Sequence, residues 1–300
     1  MGRGIRGCLW LVLPALLWMG LEIASRGQGP AARALDAVGD ELPARATQRF
    51  GTARWRHGSH IQCLAFAPVG QMIAAGGGHD PIRLWDSGTG REVRQCNEPW
   101  IRALAFSTRG TVLFSGGELK TIRMWNVADG KEIAQFAGHT SKITALALAP
   151  DGSMLASGGE DGTVILWEIL HKKIMTQFKG HTDEITSLAF SPDRDSTYIV
   201  SGSSDRTVRV WNVDQQKMIH KMDAGCAVAA VAFVDDVTVA SAGDDNLIRL
   251  WNAAEGKPLP TPLKGHQGAV VGLVATRDGK KLISPLLVMR RRPCPSKSTM

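Results

Sequence analysis

Apolar and polar residues alternate along this chain in short runs, and the runs come in sets. Residues 138–167 read GHTSKITALALAPDGSMLASGGEDGTVILW. A Gly-His pair leads into one alternating run, a Pro-Asp-Gly turn leads into a second, and a Glu-Asp-Gly turn leads into a third that ends in Trp167. Short β-branched runs of period two, bounded by Gly, Asp and Pro, predict strands joined by tight turns. The same plan predicts strands at 61–66, 72–75, 82–85 and 92–96, then at 101–106, 112–115, 122–125 and 132–136. It continues at 143–148, 154–157, 164–167 and 173–178, at 185–190, 198–201, 208–211 and 218–222, and at 228–233, 237–241, 248–251 and 257–262. A sixth unit starts at 270–274 and 281–284 and then loses the pattern.

The sets are an internal repeat. Trp85, Trp125, Trp167, Trp211 and Trp251 recur at separations of 40, 42, 44 and 40 residues, within PIRLW, TIRMW, TVILW, TVRVW and LIRLW. Gly-His pairs stand at 138–139, 180–181 and 265–266, and His57 precedes Trp85 by the same 28 residues that separate His139 from Trp167. A period of about 40–45 residues with Gly-His early and Trp followed by an acidic or amide residue late is the signature of a propeller blade. Ala65, Ala105, Ala147, Ala189 and Ala232 recur in the first runs, where crowded blades need small side chains.

On these residues the chain resembles the WD-repeat family of β-propellers over about 48–284. The resemblance implies an all-β fold: five full four-stranded blades near 57–96, 97–136, 139–178, 181–222 and 224–262, and a partial sixth at 266–284. With the sixth unit cut short, the expected ring is incomplete or truncated. Segment 48–58, QRFGTARWRHG, sits where later units carry their fourth strands, so it is expected to be a fourth strand displaced to the start of the chain. Family members are usually non-catalytic platforms that hold other proteins, and that function is the expectation here. The alternative is a propeller fragment of a larger array, or an accessory to an enzyme domain absent from this chain.

The resemblance also implies a hydrogen-bonded set in each blade: Trp, a second-strand Ser, the Gly-His imidazole and the turn Asp. His139, Ser157, Asp161 and Trp167 fill all four places, as do His181, Ser201, Asp205 and Trp211. The fifth repeat keeps Ser241, Asp245 and Trp251 with Ala224 in the His place. The second keeps Ser115 and Trp125, with Asn97 and Leu119 in the His and Asp places. The first keeps His57 and Trp85, with Ala75 and His79 in the other two. Repeats three and four are therefore expected to be the best tied.

Charge changes the picture only at the ends. The chain carries +7 overall, but residues 277–300 hold +6 of it, 1–50 hold +2, and the repeats between sum to −1. A near-neutral repeat region lacks the basic footprint of a duplex binder, so the expected partners are proteins, not nucleic acid. Cys8, Cys63, Cys96, Cys226 and Cys294 have neither zinc spacing nor a CxxC pair, and no metal or other cofactor is expected. Cys63 and Cys226 read as small buried hydrophobes.

Arg3 and Arg6 precede an uncharged run, 8–21, CLWLVLPALLWMGL. It is too short to span a bilayer and has the make-up of a secretory signal. Residues 1–25 are therefore expected to direct export, periplasmic or extracellular, in the manner of a bacterial-type exported member. Failing cleavage they would anchor the chain, the one route to a membrane. Residues 26–47 read as a linker, and 285–300, with an Arg triplet and three Pro, as an irregular basic tail. The tail suits a truncated unit, and alternatively a patch for an acidic partner or lipid surface.

Ser, His and Asp together invite a hydrolase reading. Here the set recurs once per blade beside a Trp, whereas a triad needs one exposed nucleophile and an oxyanion hole. No G-x-S-x-G, HExxH or GxxxxGK[ST] occurs. The Gly runs 76–78 and 158–159 are expected in turns after the second strands, not in phosphate loops. Asp244 and Asp245 suggest a cation only weakly, because Asp245 has its blade role. A partner-binding face is expected at the starts of the first strands and before the turn Asp: His60, Trp100, Lys142, Glu184 and Ala227, with Glu118, Glu160, Ser204 and Asp244. Trp100 stands out, and Arg102, two residues on, is expected to share its face. Trp and Arg are common in binding hot spots. The competing reading has Trp100 packed over a gap left by Asn97. An open ring would also offer a strand edge for pairing.

Overall fold

The structure, a computed structural model, describes residues 56–285 except 194 and 277–279. The leader, the linker, most of the proposed displaced strand at 48–58 and the basic tail lie outside these residues. The chain divides into two units, Met1–Ala53 and Arg54–Met300, and everything described belongs to the second.

Five four-stranded antiparallel sheets follow one another, each with its strands in chain order. Blade one is β1 (Ile61–Phe66), β2 (Met72–Gly77), β3 (Ile82–Asp86) and β4 (Glu92–Cys96). Blade two is β5 (Ile101–Phe106), β6 (Val112–Gly117), β7 (Thr121–Asn126) and β8 (Glu132–Ala137). Blade three is β9 (Ile143–Leu148), β10 (Met154–Gly159), β11 (Val164–Glu168) and β12 (Lys173–Phe178). Blade four is β13 (Ile185–Phe190), β14 (Tyr198–Ser203), β15 (Thr207–Asn212) and β16 (Lys217–Asp223). Blade five is β17 (Val228–Phe233), β18 (Thr238–Gly243), β19 (Ile248–Asn252) and β20 (Lys257–Pro258). A sixth unit contributes β21 (Val274–Ala275) and β22 (Leu282–Ile283). The all-β open ring expected from the repeat is thus the fold.

Each blade has two apolar faces, because strand side chains alternate. In blades two to five one packs on the preceding blade and the other on the next. Between blades two and three, Phe114, Ile122 and Phe136 meet Ile143, Leu155, Ile165 and Trp167. Between blades three and four, Ala156, Leu166 and Phe178 meet Ile185, Phe190, Ile199 and Trp211. The first strands stand next to one another around the axis, β1 beside β5, β5 beside β9, β9 beside β13, β13 beside β17. Thr186 ties that inner ring together, its hydroxyl lying 2.6 Å from Val228 O of the next blade and 3.0 Å from Gly202 O of its own, with one proton to share between them.

Three expectations are corrected. Of the Gly runs, Gly76, Gly77, Gly158 and Gly159 lie not in turns but at the ends of the second strands, with only Gly78 beyond, and close approach is the reason. A Cβ on Gly116 would sit 2.7 Å from Ile143 Cγ2, and one on Gly202 2.6 Å from Val228 Cγ1. The next blade's first residue occupies the space that a side chain would need. The fourth strand of blade five, expected over 257–262, stops at Pro258, and beyond it a bond from Leu259 N to Leu250 O and a bridge between Ile248 and Leu263 continue it. Pro258, Pro260 and Pro262 have no N–H to give the ladder. The sixth unit's strands are two residues each rather than the expected 270–274 and 281–284.

Gly116→Ala should therefore destabilise the protein by about 1–3 kcal/mol, as overpacking does, measured by urea denaturation. A loss under about 0.5 kcal/mol, the range of an ordinary surface change, would show that Ile143 can give way.

Candidate interaction face and the blade networks

The blade networks come first, because they decide which polar residues are left for function. In four blades the Trp indole N–H donates to a second-strand Ser hydroxyl: Trp125 to Ser115 at 2.8 Å, Trp167 to Ser157 at 2.7 Å, Trp211 to Ser201 at 2.8 Å and Trp251 to Ser241 at 2.7 Å. In blade three the register sets Trp167 opposite Leu155 and Ser157 opposite Ile165, so indole and hydroxyl meet on the diagonal of one sheet face. A buried indole N–H needs such a partner.

Beyond the Ser, the blades differ. Blade four closes the chain: Ser201 Oγ lies 2.7 Å from His181 Nε2, and His181 Nδ1 lies 2.8 Å from Asp205 Oδ2. Burial pushes the Asp205 carboxyl up, but bonds from Thr207, His181 and Thr182 N outweigh it and bring it down to about 2. Blade three does not close. His139 Nε2 reaches Ser157 at 2.7 Å, but its Nδ1 has no hydrogen-bond partner. Asp161 instead accepts from Thr140 Oγ1 at 2.8 Å and Thr163 N at 3.0 Å. Blades three and four are therefore not equally tied. Burial, partly opposed by Asp161, lowers the His139 imidazole to about 4.

Blades one and two correct the sequence assignments. In blade two the His place belongs to Glu98, 1% exposed, not to Asn97, which is exposed. Ser115 Oγ donates to Glu98 Oε2, and Arg123 Nε lies 3.3 Å from Glu98 Oε1. A carboxylate and a guanidinium thus stand in for imidazole and carboxylate. The signal was within reach, since Glu98 is one residue off the His-to-Trp spacing and Arg123 lies in the repeated approach to Trp. Leu119, set in the Asp place, is 47% exposed. In blade one His57 Nδ1 lies 3.6 Å from Asp80, not beside His79. Asp80 stands one residue beyond the usual Asp place, directly before Pro81, in a turn of the usual length. With Ala75 in the Ser place, His57 Nε2 has no hydrogen-bond partner. In blade five Ala224 leaves Ser241 to Trp251 alone, and Asp245 pairs with Arg249 at 2.6 Å, which accounts for that carboxylate. Among the described residues no His, Cys, Asp and Glu group is placed to hold a metal ion.

The expected face is partly assembled. Arg102 Nε lies 3.2 Å from Glu118, and Nη1 lies 3.4 Å from both Glu160 and Glu184. Lys142 Nζ lies 2.9 Å from Glu118 and 3.6 Å from Glu160. Five side chains from blades two, three and four, each about one-third exposed, form one ion-paired cluster with three carboxylates to two cations. Burial raises the Glu184 carboxyl, and Arg102 opposes it. The bond to Glu118 leads in raising Lys142.

Trp100 is not part of this cluster, contrary to the expectation that it shares a face with Arg102. Its backbone is left-handed, φ 61°, and its ring meets His79 of blade one edge-on at 4.1 Å. A turn in the chain before β5 replaces strand alternation there. Nor does Trp100 cover a gap left by Asn97, since Glu98 fills the network. At 37% exposed it still presents a ring surface. His60 meets Gln62 at 3.1 Å, and Asp244 is exposed; neither joins the cluster by any ion pair described. Ala227 and Ser204 bring no charge.

Comparison with known proteins identifies the repeat. The family described as "WD domain, G-beta repeat" matches residues 52–86, 90–126, 130–168, 172–212 and 216–252. Curated relatives include human "Apoptotic protease-activating factor 1", 38% identical over 100 residues, 30% of this chain and 8% of that protein. "Ribosome biogenesis protein YTM1" of Meyerozyma guilliermondii is 31% identical over 94 residues, 29% of this chain and 21% of that protein. "Small ribosomal subunit protein RACK1y" of Oryza sativa subsp. japonica is 39% identical over 75 residues, 24% and 21% respectively. The matched stretches thus span from 8% to 21% of the length of these relatives. They are eukaryotic and lend no support to a bacterial-type exported origin.

Acidification should test the buried imidazoles. His139 is held neutral, with its folded value below its unfolded one, so its stabilising effect is complete above about pH 6.5 and is lost as pH falls towards 4. Unfolding free energy should drop by roughly 2 kcal/mol from pH 7 to pH 5. His139→Gln should be less stable at pH 7 and show a shallower slope in urea titrations at stepped pH; an unchanged slope would remove His139 from the account.

Proposed function

The chain belongs to the WD-repeat family, and from that premise we propose that it is a non-catalytic scaffold which holds another protein on the face carrying the Arg102 cluster. The observation that carries this reading is the division of labour among polar residues. Ser115, Ser157, Ser201 and Ser241 are at most 1% exposed and are committed to Trp, so no nucleophile of a Ser-His-Asp set can meet a substrate. The charged cluster stays in reach of solvent, and Trp100 adjoins it through its backbone, its carbonyl accepting from Glu118 N at 3.2 Å. An ion-paired surface with an aromatic at its margin suits a protein partner. Repeats that sum to −1 do not favour nucleic acid.

Trp100→Ala combined with Arg102→Ala should reduce capture of the physiological partner at least ~10-fold. Thermal stability should change little, because half-exposed ion pairs contribute about 0–1 kcal/mol. Cross-linking in the native cell, followed by identification of the bound chain, is the measurement. Full capture by the double variant would exclude this face. A second reading, a propeller portion of a longer array, is favoured by the shortened sixth unit, and capture that appears only when a complete sixth blade is supplied would establish it.

Export is the second part of the proposal. It rests on Arg3, Arg6 and the uncharged apolar run at 8–21, with an uncleaved membrane anchor as the alternative. Residues 1–45 fused to a reporter active only outside the cytoplasm should give activity; a silent reporter retained in the cytoplasm would end this part and leave the scaffold reading intact.

A further inference from the structure

The two ends of the blade series expose complementary surfaces. In blade one the face that would receive a preceding blade carries Leu64 and Phe66, which pair across the sheet with Ala75 and Ile73, beside Trp85. Phe66 is 69% exposed and Leu64 59%. Their counterparts in later blades are covered: Phe106 is 6% exposed, Phe190 8% and Phe233 7%, each packed in the core between its own blade and the one before. So this is a blade-receiving face that stands open at Leu64 and Phe66, while Trp85 beside them, 4% exposed, is covered.

At the other end, Leu282 and Leu273 of the sixth unit pack on Ala230, Ala240 and Ile248 of blade five. Alternation turns Val274 and Ile283, which pair with each other, to the opposite side. They are 61% and 59% exposed. Ile283 precedes Ser284, whose hydroxyl lies 2.7 Å from His266 Nε2 as in a regular blade. It therefore holds the place that Phe114 and Val200 hold next to Ser115 and Ser201, and those two are buried against the following blade. Val274 and Ile283 form a blade-donating face with nothing on it.

Every interface already present in the molecule joins a donating face to a receiving face. The two open faces are of opposite kinds, and within one molecule they do not cover each other. We propose that they meet between molecules: the sixth unit of one copy packs on blade one of a second copy, continuing the blade series head to tail. Such a contact is heterologous, so it generates a ring if the rotation closes and a chain of copies if it does not. This inference rests on the open ring alone, not on the partner-binding face, and the two can fail separately.

Analytical ultracentrifugation of the full 300-residue chain over a range of concentrations tests it. Wild type should rise from 32.3 kDa through multiples of that mass. Phe66→Asp and Ile283→Asp should each stay monomeric, with self-association at least ~100-fold weaker, because each would bury an unpaired charge. An equimolar mixture of the two should recover a dimer and go no further, since only one good pair of faces remains. That recovery also shows that both variants are folded; Leu64→Asp with Val274→Asp gives an independent pair if either is not. Wild type that is monomeric throughout would overturn the proposal, whether terminal segments of the chain or another protein cover the faces. Assembly that survives either single variant, or folded variants that stay monomeric when mixed, would overturn it as well, because another surface would then be responsible.

Discussion

The hydrogen bond from a buried Trp indole to a second-strand Ser hydroxyl is the constraint on which the rest of the molecule depends. It fixes the third strand against the second in blades two to five. It also places the indole on the face that meets the preceding blade, where Trp167 lies edge-on to Phe136 at 5.7 Å and Trp211 packs on Phe178 at 5.1 Å. One contact therefore sets both register within a blade and packing between blades. It also makes a demand. The hydroxyl proton must go somewhere, and the loop ahead of the first strand has to bring an acceptor into a buried place. Leaving a buried polar group unmade costs about 1–3 kcal/mol, and that cost disciplines the loop sequence.

The loops meet the demand in different ways. His181 passes it on to Asp205, while His139 ends the chain with an unpartnered Nδ1. Glu98 accepts the hydrogen bond directly, and burial raises its carboxyl against the opposing Ser115 bond and Arg123 charge. Imidazole with carboxylate and carboxylate with guanidinium are equivalent here because each supplies one acceptor towards Ser and one opposite charge behind it. Blade one has lost the hydroxyl itself at Ala75. Its His57 then has nothing to receive at Nε2, so the network role passes to a weaker approach towards Asp80.

Most strands could be read from the sequence because period-two patterning and turn residues agree at each one, and the first strand of all five blades is where the pattern puts it. What escaped depends on contacts between blades or on a single residue of loop length. A Gly pair reads as a turn unless one knows that Ile143 or Val228 of the next blade needs its space. Counting back from Trp125 finds Asn97, and only burial shows that Glu98 is the residue turned inward. Alternation places Trp100 with Arg102, and only the left-handed backbone at Trp100 sends its ring to His79 instead. The charged cluster was legible as positions but not as a network, since no sequence pattern states that Arg102 reaches across two blades.

That reach says something about how such a face can work. Glu118 and Glu160 come from equivalent places after the second strands of successive blades, and Glu184 from the start of the next first strand, so the ring geometry sets their spacing, and rigid apolar interfaces hold that geometry. Arg102 touches all three because it alone is a long cation at a place where the neighbouring first strands carry Thr144 and Thr186, whose hydroxyls go to backbone carbonyls. Its charge is therefore shared among three blades rather than committed to one. A partner group that draws any of the three carboxylates away leaves Arg102 the other two, so the surface can accept a cationic group without leaving the guanidinium unpaired. In this fold the blade sheets supply a fixed frame, and under the reading proposed above the shared pairing of Arg102 would supply the adaptability that a binding surface needs.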